Sequence, residues 1–216
     1  MPAKIVVVEG PDKVGKETQS KLLADTLSVR GLQVVRLEPT KQFAYGKKAI
    51  YSMLESGAAK RYPNLFQFVQ FINRLYFQLF KLPKLVREND IVILDRWALS
   101  GFIYGQCEGI NPWLNEWFYN RAKRADLVLV FSGTSYRRTQ ADDSYEKDAV
   151  LQTRVKNLYR VFGQAMTDHV LLDNVGSVTE VHQRVIETLE DNRILPPPCS
   201  VCQAHFDEDC DAGYHS

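Results

Sequence analysis

The stretch that most constrains this chain is Val6-Val7-Val8-Glu9-Gly10-Pro11-Asp12-Lys13-Val14-Gly15-Lys16-Glu17-Thr18. An apolar run leads into a loop bounded by Gly10 and Gly15, and Lys16 opens a helical pattern. Glycine, four residues, then Gly-Lys is the spacing of a phosphate-cradling loop. Glycines at both ends let the backbone turn back so that successive N–H groups converge on one anion. The following helix adds its positive N-terminal end, and Lys16 adds a full charge. The string by itself also occurs by chance in Gly-rich strand-to-helix turns. Here Ile5 to Val8 reads as a buried parallel strand and Thr18 to Arg30 as a helix, which is the context phosphate binding needs. Where a Ser or Thr hydroxyl normally meets magnesium, the chain carries Glu17.

Further apolar runs recur at Gln33–Leu37, Ile91–Leu94, Leu127–Phe131 and Val170–Leu172. Helical patterns fall between and after them at Gly46–Leu54, Pro63–Glu88, Ala98–Gln106, Asn111–Arg124, Val150–Met166 and Val178–Leu189. This alternation predicts an α/β fold, a doubly wound five-stranded parallel sheet flanked by helices. Ligands of such sheets sit beyond the carboxyl ends of the strands, so the residues just after each strand carry the functional argument. After the second strand comes Glu38-Pro39-Thr40-Lys41, where Pro39 stops the strand. After the third comes Asp95-Arg96-Trp97. Asp95 stands where a nucleotide site needs a carboxylate for magnesium or its water, although an Asp there is also a common helix cap. Arg96 offers a guanidinium fork suited to phosphate oxygens.

Pro63–Glu88 is the longest helical pattern and is apolar around most of its circumference, with Phe66, Phe68, Val69, Phe71, Ile72, Leu75, Phe77, Leu79 and Phe80. A helix of this kind is expected to be buried on more than one side, and a second subunit is a candidate cover. Gln70, Asn73, Arg74 and Phe77 share a face; an arginine among aromatics needs a polar partner. Trp113, Trp117 and Phe118 read as core. Gly133–Asp148, charged and poor in apolar residues, has the composition of a mobile cover and contains Arg137, Arg138, Tyr145 and Glu146.

At 216 residues the chain can build one substantial core. Residues 1–195 are expected to form a single domain with a lid at about 133–148, followed by a Pro-led tail over 196–216. In that tail Cys199, Cys202, His205 and Cys210 form a candidate zinc set; a short structural zinc site and a disordered tail with incidental cysteines are evenly balanced readings. The body holds only Cys107, so no disulfide framework supports the fold. A formal net charge of +1 removes the usual electrostatic case for nucleic acid as partner. No apolar run reaches membrane-spanning length and no signal-peptide layout is present, so a cytoplasmic protein is expected.

Set in order, the loop, Asn73-Arg74, Asp95-Arg96-Trp97, Ser100-Gly101, Tyr104 and Tyr145-Glu146 resemble a thymidylate kinase, over roughly residues 4–192. The resemblance implies a homodimer formed through long helices, ATP as phosphoryl donor, magnesium, and dTMP as acceptor. ATP phosphates would fall to Gly10, Asp12, Lys13, Val14, Gly15, Lys16, Glu17 and Thr18, with Lys13, Arg96 and Arg137 around the transferred group and Arg137 or Arg138 over adenine. Asp12 and Tyr104 would sense the deoxyribose, Lys41 and Arg96 the acceptor phosphate, and Arg74 the thymine edge, beside Asn73; Tyr145 belongs to the closing lid.

Three departures from the family pattern matter. Its Phe-Pro-x-Arg loop reads Glu38-Pro39-Thr40-Lys41 here, which keeps a charge without a fork. Where the family stacks an aromatic on thymine this chain has Gln70, whose amide can hydrogen-bond a base instead of stacking; Phe66 or Phe71 is the alternative stacking ring, and base identity stays open. Glu17 either ligates magnesium directly or turns outward, because a carboxylate about 4 Å from a phosphate oxygen costs on the order of 4 kcal/mol at an effective dielectric of 20. A kinase for another deoxynucleotide remains an alternative. So does a deoxynucleoside kinase, with Glu9 or Glu38 as base, and so does a catalytically silent nucleotide-binding scaffold.

Overall fold

Runs of valine, isoleucine and leucine without polar interruption form strands that are covered on both faces. The computed structural model describes residues 2–108, 112–133 and 149–195. Its strands are β1 (Lys4–Glu9), β2 (Val34–Leu37), β3 (Ile91–Asp95), β4 (Leu127–Ser132) and β5 (His169–Asp173). All pair in parallel, in the order β2-β3-β1-β4-β5. The two-residue period of a strand divides β1 between two cores. Ile5 and Val7 face a layer with Phe77, Leu82, Trp97, Ile103, Phe118 and Tyr159. Val6 and Val8 face Leu23, Leu27, Val181, Val185 and Leu189. Each buried side chain of this size contributes roughly 1.5–3 kcal/mol, so neither face of β1 tolerates a polar residue cheaply.

The helices are α1 (Lys16–Val29), α2 (Ala44–Glu55), α3 (Ala58–Arg61), α4 (Pro63–Tyr76), α5 (Leu82–Glu88), α6 (Ala98–Cys107), α7 (Trp113–Arg121), α8 (Ala149–Ala165) and α9 (Val178–Asp191). The α/β sheet expected from the alternation is therefore present, with α1 and α9 on one face and the layer of α5–α8 on the other. Among the described residues no helix is long and apolar enough to cross a membrane.

Two local expectations need correction. Pro63–Glu88 is not one α-helix: residues Phe77–Lys81 form a wide π turn between α4 and α5. Pro83, at the second position of α5, explains this, because it cannot donate to the carbonyl four residues back and its ring crowds that carbonyl. Trp113 and Trp117 are not core; they are 58% and 37% exposed, whereas Phe118 is buried at 3%. Within one chain, Leu65, Phe68, Ile72, Leu79 and Phe80 remain exposed.

Candidate active site

The loop after β1 is shaped by close approaches that only glycine permits. Gly10 has φ +139°, and a Cβ there would lie 2.5 Å from the Phe131 carbonyl oxygen. Gly15, at φ +83°, is the N-cap of α1 and brings no side-chain cap, which leaves the first-turn N–H groups to an anion. The contrast is α9, whose end is closed by a Ser177–Glu180 capping box. Lys13, at φ +62°, adopts the left-handed region without being glycine, which costs roughly 1–2 kcal/mol. Asn174, just past β5, donates from its amide to the Val14 carbonyl and supports the loop from behind.

Strand register brings the second half of the site to this loop. Val8 pairs with Asp95, and the Arg96 N–H donates to the Val8 carbonyl at 3.0 Å. Asp95 and Arg96 therefore emerge beside the start of the loop. The Arg96 guanidinium is ion-paired with the Asp12 carboxylate and also donates to the Gly10 carbonyl (3.3 Å) and the Ser100 hydroxyl (3.4 Å). Tyr104 donates its hydroxyl to Asp12 Oδ2 at 2.7 Å, and its ring centre lies 5.7 Å from the guanidinium carbon. Burial by itself would raise the Asp12 carboxyl, but Arg96, Lys16 and the Tyr104 hydrogen bond outweigh it and hold it below the ordinary value. Burial likewise opposes the Arg96 charge, and the Asp12 carboxylate overrides it, so this guanidinium sits well above its usual value.

Lys16 is 6% exposed and donates to the Pro11 carbonyl. Burial, with Arg96 repelling it, pulls its ammonium down to about 7, against the partial pull of Asp12, Asp95 and Glu9. An anion bound at the uncapped first turn of α1 would favour the charged form of this ammonium.

Glu9 is fully buried. It accepts from the backbone of Trp97 (2.7 Å) and Ser100 (3.2 Å), from the Ser100 hydroxyl, and from the Tyr159 hydroxyl (3.0 Å). This carboxylate closes the first turn of α6 and is committed there, which withdraws it from the general-base role considered for it. Glu38, the other such candidate, is held by Lys41 at 2.7 Å and by the Thr40 hydroxyl at 2.9 Å.

On the far wall, Arg74 is 4% exposed and donates through Nη2 to Gln70 Oε1 at 2.8 Å. Gly101 makes room for it, since a Cβ there would stand 2.5 Å from Nη1. Burial lowers the Arg74 guanidinium to about 10, still charged at neutral pH. Asn73 is turned into the protein, its amide donating to Val69. The two stacking candidates both have packing partners within the protein. Phe66 is packed into a small core with Ile50 and Ala59, and Phe71 packs edge-on against Trp117 and Phe118.

Asp95 Oδ2 accepts from Arg36 Nη2 at 2.9 Å. Arg36 is a cavity-lining cation that sequence reasoning passed over, and its signal was a single charge inside the otherwise apolar run Val34-Val35-Arg36-Leu37. Glu17 lies on the wall of the same cavity as Asp95. Two carboxylates and no larger cluster suit magnesium, which binds through one or two carboxylates plus phosphate oxygens; among the described residues no group of three or more His, Cys, Asp or Glu side chains gathers to hold a metal. Arg137, Arg138, Tyr145 and Glu146, and the zinc candidates Cys199, Cys202, His205 and Cys210, lie outside the described residues.

A glycine-bounded anion nest at the first turn of a parallel sheet, facing a carboxylate and a guanidinium at the neighbouring strand tip, defines a P-loop nucleotide-binding protein. Comparison narrows the class. The thymidylate kinase family model matches residues 8–185. A probable thymidylate kinase of Thermococcus onnurineus is 27% identical over 199 residues, covering 86% of this chain and 96% of its own length. The thymidylate kinase of Schizosaccharomyces pombe is 25% identical over 211 residues, covering 88% and 93%. A solved thymidylate kinase from Candida albicans superposes with a TM-score of 0.72 at 21% identity, over 89% of this chain and 93% of that one. The chain belongs to the thymidylate kinase family.

Proposed function

We infer that the protein transfers the γ-phosphoryl group of ATP to dTMP, giving dTDP and ADP. The observation that carries this reading is the approach of Asp12, Lys16, Asp95 and Arg96 across the β1–β3 register. An oxygen of the dTMP 5′-phosphate attacks the γ-phosphorus and forms the new P–O bond. The bond to the bridging oxygen breaks, and ADP departs with its electron pair. The acceptor is already ionised near neutral pH, so no general base is needed. The protein's work is alignment, neutralisation and exclusion of water.

In this reading Lys16 and the amides of the 10–18 loop hold the donor phosphates. Lys13, Arg96 and Arg137 surround the moving group, and Arg137 or Arg138 covers adenine. Asp12 and Tyr104 meet the deoxyribose; Arg74, steered by Gln70 beside Asn73, reads the base edge. Asp95 and Glu17 would hold magnesium, which neutralises β- and γ-phosphate oxygens when bound. Residues 1–195 act as one catalytic domain in the cytoplasm, with a lid over about 133–148 that carries Tyr145, and with 196–216 as an appended tail.

A coupled assay of ADP release across nucleoside monophosphates and free thymidine tests the reaction. dTMP is expected to give the highest kcat/KM, by about tenfold or more over other bases. Turnover of thymidine without dTMP would point to a nucleoside kinase, and ADP from none of them to a silent scaffold.

The exposed row Leu65, Phe68, Ile72, Leu79 and Phe80 supports a homodimer through α4 and the π turn. Light scattering at micromolar concentration should give twice the chain mass, and Ile72→Glu should return it to one. A wild-type protein of single-chain mass sinks the dimer.

A further inference from the structure

A cavity of about 350 Å³ opens between the first turn of α1 and the carboxyl ends of β2 and β3. Its wall includes Glu17, Arg36, Glu38, Lys41, Lys47 and Asp95, and charged groups dominate it. The family pattern would place the acceptor phosphate on the residue that is Lys41 here. In the structure that ammonium is bound by the Glu38 carboxylate at 2.7 Å and lies 5.7 Å from the centre of the Tyr51 ring. It carries no fork, and it must leave its carboxylate to serve a phosphate.

Arg36 is anchored differently. Its Nε donates to the Ser20 hydroxyl at 2.7 Å, and its Nη2 donates to Asp95 Oδ2 at 2.9 Å. These partners come from α1 and β3, while the backbone of Arg36 belongs to β2, so three elements fix the plane of the guanidinium. Nη1 carries no hydrogen bond among the described residues, and the side chain borders the cavity. A guanidinium presents five N–H groups in a rigid fork, and among the described residues two are used here.

Resting on the dTMP kinase reading, we propose that Arg36 binds the 5′-phosphate of the acceptor nucleotide. In this chain the fork comes from inside strand β2 instead of from the loop that follows it. Glu38 neutralises Lys41, while Asp95 and Ser20 hold Arg36 in place before the nucleotide arrives.

The test compares affinities for dTMP and for thymidine, which lacks the phosphate, by calorimetry on the full-length wild type, Arg36→Gln, Arg36→Lys and Lys41→Ala. Arg36→Gln is expected to weaken dTMP about tenfold to a hundredfold while leaving thymidine unchanged. Arg36→Lys should recover part of that loss, and Lys41→Ala should cost less than Arg36→Gln. The dTMP-to-thymidine ratio is insensitive to any fraction of unfolded variant, so a purely structural role for Arg36 would leave it where it is. An unchanged ratio in Arg36→Gln, or a larger loss in Lys41→Ala, overturns the assignment. Should the wild type bind neither ligand, the dTMP reading fails by itself. Inorganic phosphate is then titrated against wild type and Arg36→Gln, and equal affinity, or none in either, overturns the role of Arg36 separately.

Discussion

Lys16→Ala is expected to lower ADP production from ATP and dTMP by about 10³-fold or more, the scale of losing a preorganised cation aimed at developing phosphate charge. The fold should survive the change, because the wild-type ammonium is buried and its charge is disfavoured there. The sign of this effect is open to measurement. The folded value of about 7 lies below the ordinary 10.5, so between those values the unfolded chain binds a proton that the folded chain does not. Wild-type stability therefore gains from this group as pH rises through that window, and the cost of burying the charge is fully present below about pH 7. Lys16→Ala lacks that gain. Its stability relative to wild type should be most favourable near pH 6 and should decline toward pH 10, as read by denaturant midpoints. Binding of ATP restores the charge, so at pH 8 wild type should take up about one proton per ATP, measured calorimetrically in buffers of different ionisation enthalpy. A variant that turns over at the wild-type rate would remove Lys16 from the donor site.

The second large effect is expected at Arg96. Arg96→Ala should reduce kcat by about 10³-fold, in line with other arginines that stabilise phosphoryl transfer, and Arg96→Lys should recover only part of it, since a lysine cannot reproduce the fork. Residue 96 adopts φ +66°, and alanine, lysine and arginine all bear that left-handed strain equally. The variants thus differ through the side chain alone. Without Arg96 the Asp12 carboxyl loses its main counter-charge, keeping Lys16 and the Tyr104 hydroxyl, so its value should rise and the Asp12–Tyr104 end of the site should loosen. Steady-state kinetics separate the two consequences. A rise confined to KM for dTMP, with kcat intact, would show that Arg96 binds without assisting transfer.

The phosphate loop, the strand-by-strand α/β alternation and the pair Asp95-Arg96 were all readable from the chain, because each depends on spacing within a few residues. So was the sharing of a helix face by Gln70 and Arg74, now seen as a 2.8 Å hydrogen bond. The errors have a common origin. Trp113 and Trp117 were assigned to the interior by residue type alone, and α7 leaves them at its outer side. Pro83 did announce the π turn, but a proline near the end of a long apolar run competes with strong helical periodicity in the reading. Glu9, offered as a base, is consumed by the start of α6, a partner residing at the far end of another strand.

What the sequence by itself determined is therefore local: which segments become strands, where the anion nest forms, and which strand tips carry charge. A two-residue period, a helical period and a fixed glycine spacing are near-neighbour properties, and they are written in consecutive residues. The tertiary structure alone decided which carboxylate each cation meets. Arg96 is paired with Asp12, 84 positions away, and Arg36 with Asp95, 59 positions away. Both pairings follow from β3 lying between β1 and β2, and strand order is set by how whole layers pack, for which no local pattern holds a record.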